Sequence, residues 1–398
     1  MAALISDVSI NQKPYCYNTT KAAYNYDHEQ YDVPTIDYFM LFSNDPNQRS
    51  KALNYLRHVC QDYGFFYLVN HGITDNVFES VFKGISDFFD PIEVEDRRQY
   101  EKKNPTDRIR WGLRSSPGEN REYLKVVAHP RFHCPPKPAD FSVFKGISDF
   151  FDPIEVEDRR QYEKKNPTDR IRWGLRSSPG ENREYLKVVA HPRFHCPPKP
   201  ADFSEAMEEY FKRLREVVRG LGKAVSKTLG FEECYIEKAF NLESGFDVSA
   251  MNLYPPNFQS KGAVGVPDHT DPGFFVSLVQ DVNGGLQILS NAGNWIDVYD
   301  MPPNAIFINL GDHLEILTNG KYKSHVHRVV VDNNKVKRIS VATLHGPSLD
   351  TFVKPAPEFV DDSHPPAYRG ATYKRSLEAN GDEIDVQSSI DQLRLQVI

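Results

Sequence analysis

The sequence predicts a mainly β protein with flanking helices, its core a sandwich, barrel or jelly roll. Three observations carry that expectation. From residue 249 onward the chain is a series of short β-rich runs, SAMNLYPP, GFFVSLVQD, GGLQILS, NWIDVYD, AIFINLGD, HRVVVD and RISVATLHG, broken by turn formers such as NGG, MPPN and DNN. Such spacing is the habit of double-layered or closed antiparallel sheets. Ahead of these runs, the segment 205–230 sets its apolar side chains at three- and four-residue steps, as a helix packed along one face requires. A composition of 39% hydrophobic, 12% aromatic and 26% charged residues gives enough apolar surface for a buried core.

Taken in order, a polar leader precedes VPTIDYFML, a short strand. An amphipathic helix over 49–63 follows, with Leu53, Leu56, Val59 and Cys60 on one face. GFFYLVNHG reads as a buried strand ended by glycine, and TDNVFESVFKGISDFF as a helix capped by Thr74 or Asp75. In the long helix after 204, Met207, Tyr210, Phe211, Leu214, Val217, Val218, Leu221 and Val225 form the apolar stripe, and Gly230 closes it.

Between those helices the chain repeats itself. Residues 81–142 recur letter for letter at 143–204, a tandem copy of 62 residues in a chain of 398. Stacked repeats need about three units to bury a core and their copies normally differ, so two verbatim copies point to a duplicated exon, or to an error in assembling the gene, rather than to a solenoid. The expected organisation is 1–80, an N-terminal helix and strand region; 81–142 and 143–204, one N-terminal segment written twice; and 205–398, the long helix with the β domain. The REYLKVVAHP strands at 122–131 and 184–193 then compete for one place in the sheet.

A net charge of -7 gives no footing for nucleic acid. No apolar run approaches the roughly 20 residues of a membrane helix, and the N-terminus lacks the basic start and apolar stretch of a secretory signal. The expectation is a cytoplasmic monomer acting on a small molecule, with neither nucleic acid nor membrane as partner. Cys134 and Cys196 are one position copied, and Cys16, Cys60 and Cys234 have neither metal nor disulfide spacing, so reduced thiols are expected.

The chemistry gathers in the β region. His269-Thr270-Asp271 is followed 55 intervening residues later by His327, at the head of HRVVVD. Two imidazoles and a carboxylate on one side of a metal leave neighbouring positions open, as non-haem Fe(II) needs to hold a co-substrate together with dioxygen. In a strand, His269 and Asp271 point the same way. A chain with thirteen histidines also produces such pairs by chance. His313-Leu314-Glu315 is one, but GDHLEIL reads as helix, where residues two apart diverge. His325 remains an alternative to His327. Eleven residues past His327 stands Arg338-Ile339-Ser340, with Asn252-Leu253-Tyr254 upstream. A guanidinium and a hydroxyl on one side of a strand can hold the far end of a dicarboxylic acid.

Through VPTIDYF, DYGFFYLVNHGI, MNLYPP, HTDPGFFVSLVQD, GGLQIL, INLGDHLEILTNGKYKSHVHRV and RISVATLHGP, the chain resembles the plant 2-oxoglutarate and Fe(II)-dependent dioxygenases over nearly its whole length. The resemblance implies a double-stranded β-helix, or distorted jelly roll. It implies iron held by His269, Asp271 and His327, the last selected over His325 by its place before Arg-Val. It further implies that Arg338 and Ser340, helped by Tyr254, bind the distal carboxylate of 2-oxoglutarate with Asn252 near its other end, and that Phe275 and Leu344 wall the substrate pocket. The implied activity is oxidation of a small plant metabolite by hydroxylation, demethylation or desaturation, with 2-oxoglutarate and O2 converted to succinate and CO2 and ascorbate as an accessory. Two alternatives stand beside it: an oxidase like aminocyclopropane carboxylate oxidase, which uses ascorbate in place of the keto acid, and a metabolite-binding relative impaired by the duplication.

Overall fold

The N-terminal apolar pattern becomes two strands and a helix. The structure, a computed structural model, describes residues 33–89, 109–116, 119–126, 170–178, 181–195, 201–254, 264–281, 284–298, 301–331, 338–379 and 390–395. β1 (Thr35–Asp37) pairs in parallel with β2 (Phe65–Val69), and α1 (Pro46–Asp62) connects them. Asp45 caps α1 by accepting from the Asn47 N–H at 2.9 Å, and Pro46 fills its first turn. The helix therefore starts earlier than its apolar spacing predicts. α2 (Asp75–Phe89) carries the start of the first copy.

Each copy folds into the same hairpin. β3 (Ile109–Ser116) and β4 (Glu119–Val126) pair with Ile109 opposite Val126; β5 (Ile171–Ser178) and β6 (Glu181–His191) pair with Ile171 opposite Val188. The first hairpin is a two-stranded sheet of its own, whereas β6 joins the main sheet through β7 (Asp247–Tyr254). Residues 127–131, the rest of the first competing strand, lie outside the described residues. α3 (Ala201–Thr228) comes next and buries Met207, Tyr210, Leu214, Val218, Leu221 and Val225, the stripe its periodicity announced. The short α4 (Tyr235–Phe240) leads into β7.

Seven further strands complete the β region: β8 (Val264–His269), β9 (Phe275–Gln280), β10 (Leu286–Leu289), β11 (Trp295–Val298), β12 (Ile306–Leu310), β13 (His327–Val330) and β14 (Arg338–His345). The main sheet runs β1-β2-β12-β9-β14-β7-β6-β5 and the smaller one β11-β10-β13-β8. Strands β7 to β14 thus divide into two sets of four, β12-β9-β14-β7 and β11-β10-β13-β8, the arrangement of a double-stranded β-helix. Helix α5 (Asp312–Leu317) links β12 to β13, and β15 (Phe352–Val353), β16 (Ala371–Thr372) and α6 (Tyr373–Ala379) follow the barrel.

Alternation along the strands separates two cores. Met251, Leu253, Phe275, Val279, Ile339 and Val341 lie on the outer face and share a core with Leu56 of α1 and Leu214 of α3. Tyr254, Leu278 and Phe307 lie on the inner face and meet Val266, Leu286, Ile288 and Val329 of the smaller sheet. Each such buried side chain contributes about 1.5–3 kcal/mol by leaving water. Among the described cysteines, Cys60 and Cys234 are free thiols, and burial pushes the Cys60 thiol up. Cys16, Cys134 and Cys196 lie outside the described residues. No described helix is long and apolar enough to cross a membrane.

Candidate active site

His269 ends β8, His327 begins β13, and the two stand directly opposite in the ladder with ring centroids 4.2 Å apart. Asp271 lies two residues beyond the end of β8. It therefore reaches the histidines from a turn and not by the two-residue repeat of a strand. The N-terminus of α5 fixes that turn. The Asp312 N–H donates to the Asp271 carbonyl at 3.0 Å, the His313 N–H to the Gly273 carbonyl at 2.8 Å, and the Gly273 N–H to His313 Nδ1 at 3.1 Å. Thr270 Oγ1 donates to Asp312 Oδ2 at 3.2 Å.

The carboxylate faces both rings. Asp271 Oδ2 is 3.1 Å from His327 Nε2, and Oδ1 is 3.7 Å from His269 Nε2. One ligand atom from each residue lies within 4.8 Å of the others. The remote nitrogens are occupied: His269 Nδ1 donates to the Pro267 carbonyl at 2.7 Å and His327 Nδ1 to the His325 carbonyl at 3.1 Å. These acceptors assign the proton to Nδ1 and turn both Nε2 atoms toward Asp271, the way second partners orient metal-binding imidazoles. Burial alone would raise the Asp271 carboxyl, but His327 and His269 outweigh it and hold it down to about 2. Burial likewise opposes charge on His327, yet Asp271 raises it above the ordinary imidazole value. A pocket that draws positive charge in this way, with two nitrogens and one oxygen as donors, fits a divalent Fe(II) held from one side.

The competing histidines are placed elsewhere. His325 Nδ1 donates to the Leu289 carbonyl at 2.9 Å, and its ring packs edge-on to Phe65. His313 is fully buried, with burial lowering it to about 3, and it serves the Gly273 turn. Glu315, also fully buried, accepts from the Ser324 N–H at 2.6 Å and pairs with Arg394 at 3.1 Å. The helical reading of His313-Leu314-Glu315 agrees with those separate roles.

Across the inner face lies the second group. Arg338 pairs with Tyr254, and Ser340 with Asn252, on neighbouring β14 and β7. Arg338 is completely buried. Its Nη1 donates to Ser340 Oγ at 3.2 Å, its Nη2 to Gln280 Oε1 at 2.8 Å, and its Nε to the Gly284 carbonyl, while the Tyr254 ring lies 4.7 Å from the guanidinium carbon. Two glycines make this fit. Gly285 has φ +95°, and a Cβ there would meet the Val330 carbonyl at 2.8 Å; a Cβ on Gly265 would stand 2.6 Å from the Tyr254 ring. All the described partners of this cation are neutral. A buried guanidinium so placed is a ready receptor for an anion.

The two proposed pocket walls part company. Leu344 lies opposite Val248 on the inner face and is partly exposed. Phe275 lies opposite His345 and is fully buried in the outer core beside Phe274. The reason is parity: Leu344 is an even number of residues from Arg338, while Phe275 pairs with the odd set. Sequence reasoning missed Gln280, which fixes Arg338, and Asn309, a buried amide 3.5 Å from His327 Nδ1. Each is a polar letter inside an apolar run, SLVQD and IFINL, and that was the available signal.

Comparisons with known proteins agree with this geometry. Residues 245–347 match the profile of the 2OG-Fe(II) oxygenase superfamily, and residues 33–140 that of the N-terminal region of non-haem dioxygenases in morphine synthesis. The chain is 29% identical over 365 residues to 2-oxoglutarate-dependent dioxygenase 19 of Oryza sativa subsp. japonica, covering 91% of this chain and 90% of the relative. It is 30% identical over 348 residues to leucoanthocyanidin dioxygenase of Malus domestica, covering 87% and 82%. Among solved structures, JOX2 in complex with 2OG, Fe and JA superposes with a TM-score of 0.65 at 21% identity, covering 91% of this chain and 89% of that one. Matched in both its N-terminal and its barrel regions, the chain belongs to the 2OG-Fe(II) oxygenase superfamily and is an Fe(II)- and 2-oxoglutarate-dependent oxidoreductase.

Proposed function

We propose that His269, Asp271 and His327 hold the iron, that Arg338, Ser340 and Tyr254 receive the distal carboxylate of 2-oxoglutarate with Asn252 nearer the other end, and that the substrate is a small plant metabolite. The observation that supports this most is the convergence of three ligand atoms within 4.8 Å, accompanied by a buried arginine with neutral partners on the main sheet. Bound iron supplies the coupling of O2 reduction to conversion of 2-oxoglutarate into succinate and CO2, with oxidation of a substrate C–H bond. The chain's own residues do the rest. Asp271 stays ionised and offsets metal charge; the Pro267 and His325 carbonyls keep both Nε2 atoms aimed. Arg338, locked by Gln280 and Gly284, orients the diacid, and the apolar inner core keeps water away.

The reading extends to ascorbate as an accessory reductant and to a cytoplasmic monomer. It treats 205–398, supported by 1–80, as the working unit and one of the two copies as redundant. Anaerobic addition of Fe(II) and 2-oxoglutarate should produce a visible charge-transfer band, and Asp271→Ala should abolish it. A band that persists in that variant would overturn the ligand assignment. Arg338→Met should weaken 2-oxoglutarate at least about tenfold, the scale of a lost charge-assisted hydrogen bond. Buried Arg338 favours this reading over an ascorbate-driven oxidase, and succinate release that depends on substrate separates the two.

A further inference from the structure

One buried carboxylate joins two of the metal-binding segments to the segment 390–395. Glu315 lies in α5 and is fully buried. Its Oε2 accepts from the Ser324 N–H at 2.6 Å; its Oε1 accepts from the Tyr368 hydroxyl, from Arg394 Nη2 at 3.1 Å and from Lys323 Nζ at 3.5 Å. The N-terminus of the same helix fixes the turn of Asp271, with the Asp312 N–H on the Asp271 carbonyl at 3.0 Å and the His313 N–H on the Gly273 carbonyl at 2.8 Å. Ser324, in turn, opens the short run into β13, where His327 Nδ1 donates to the His325 carbonyl at 3.1 Å. Glu315 thus holds one support of Asp271 and one of His327. The cation that meets it is itself anchored. The Arg369 N–H donates to the Leu393 carbonyl at 2.7 Å and the Leu395 N–H to the Ala367 carbonyl at 2.8 Å, while Ile390 is buried in the outer core. Arg394 Nη1 also donates to the Tyr368 hydroxyl at 3.5 Å.

We infer that Glu315 is a positioning residue for the iron site and that Arg394 and Tyr368 clasp it, so that the segment 390–395 governs how firmly the metal is gripped. This rests on the assignment of His269, Asp271 and His327 as iron ligands proposed above. A hydrophobic side chain would fill the same buried volume without the desolvation of a charge, so what the carboxylate adds is orientation. It fixes the roll of α5 against the Ser324 amide, and partners behind a metal's ligands set ligand geometry in this way. Without Arg394 the charge is left short of a donor, α5 is free to shift, and the Asp271 turn and the run into His327 loosen together. Arg338 and Ser340, on β14, take no part in this network.

The test uses the full chain. The Arg394 side chain is 45% exposed, so Arg394→Met leaves the core packed. In the metal-free protein, the Asp312, His313 and Ser324 amides should exchange hydrogen about tenfold faster in this variant, with the α3 amides unchanged. Anaerobic calorimetry with Fe(II) in the presence of 2-oxoglutarate should show the metal bound about tenfold more weakly. At saturating Fe(II), the affinity for 2-oxoglutarate should change less than about twofold, because Arg338 lies outside the network. Tyr368→Phe, which removes the hydroxyl alone, should move exchange and Fe(II) affinity the same way, and Arg394→Lys should largely restore both. Lys223→Met, at an exposed lysine of α3, should alter neither. Unchanged exchange in Arg394→Met and Tyr368→Phe overturns the inference, as does faster exchange with Fe(II) affinity intact. An unaltered protein that binds no Fe(II) overturns the iron assignment, and this inference with it.

Discussion

Residues 109–126 and 171–188 are the same letters in two surroundings. Both form a hairpin, and both use the same register, with Trp111 opposite Leu124 in one and Trp173 opposite Leu186 in the other. The first hairpin is its own sheet; the second continues into β7, from Glu184 opposite Leu253 to His191 opposite Asp247. Hairpin formation is therefore local, encoded by the strand residues around the SSPGEN turn. Membership of the large sheet is not. What differs is connection: β6 is followed directly by α3, whose apolar stripe packs on the outer face of the barrel, whereas β4 is followed by the second copy. Consecutive elements tend to be neighbours in space, so the copy tied to α3 takes the place beside β7.

The contrast can be broken most sharply at Leu186. It is fully buried in the outer core, so Leu186→Ala should cost about 2–5 kcal/mol in denaturant unfolding. Leu124→Ala, the same change in the hairpin that stands outside the main sheet, should cost less. Equal losses would mean that both hairpins carry the barrel. A smaller effect distinguishes His191 from His129. The His191 imidazole is lowered from its ordinary 6.5 chiefly by burial, against a 3.0 Å hydrogen bond to the Glu243 carbonyl. A depressed imidazole is protonated first in the unfolded chain, so its contribution is present above pH 6.5 and is lost as pH falls. His191 is partly exposed, so His191→Gln should remove less than about 1 kcal/mol of the stability change between pH 7 and 5, and His129→Gln none. The smallest effect is expected from removing a copy altogether. Deleting 81–142 or 143–204 yields one and the same protein, because the segments are identical. That shorter chain should be at least as soluble and as active as the full one, measured by succinate release; failure to fold would show that the two hairpins have separate duties.

Much of the site was legible because it depends on letters with few other uses. His269, Asp271 and His327 come together as the donor set their types suggested, and Arg338 with Ser340 shares a face with Tyr254 and Asn252. The route differed in one respect, since Asp271 arrives from a turn held by α5. Phe275 illustrates what could not be read: an aromatic residue in a strand buried on both faces carries no mark of which side it takes. Its ladder partner His345 decides that, and the partner is set by register 70 positions away in the chain. Gln280 showed only as a polar letter at the end of an apolar run, and its role in fixing Arg338 comes from the strand beside it.

The sequence alone determined the helical stripes, the alternating strands, the hairpin in each copy and the kinds of side chain available to bind a metal and a diacid. These follow from backbone preference and short-range periodicity, which act over a few residues. The tertiary structure decided which identical hairpin joins the sheet, which face of β9 and β14 meets the smaller sheet, and that Asp271 reaches the two histidines from a turn beyond β8. Those outcomes depend on contacts between distant parts of the chain, and for the faces of β9 and β14 a ladder shifted by one residue would reverse them.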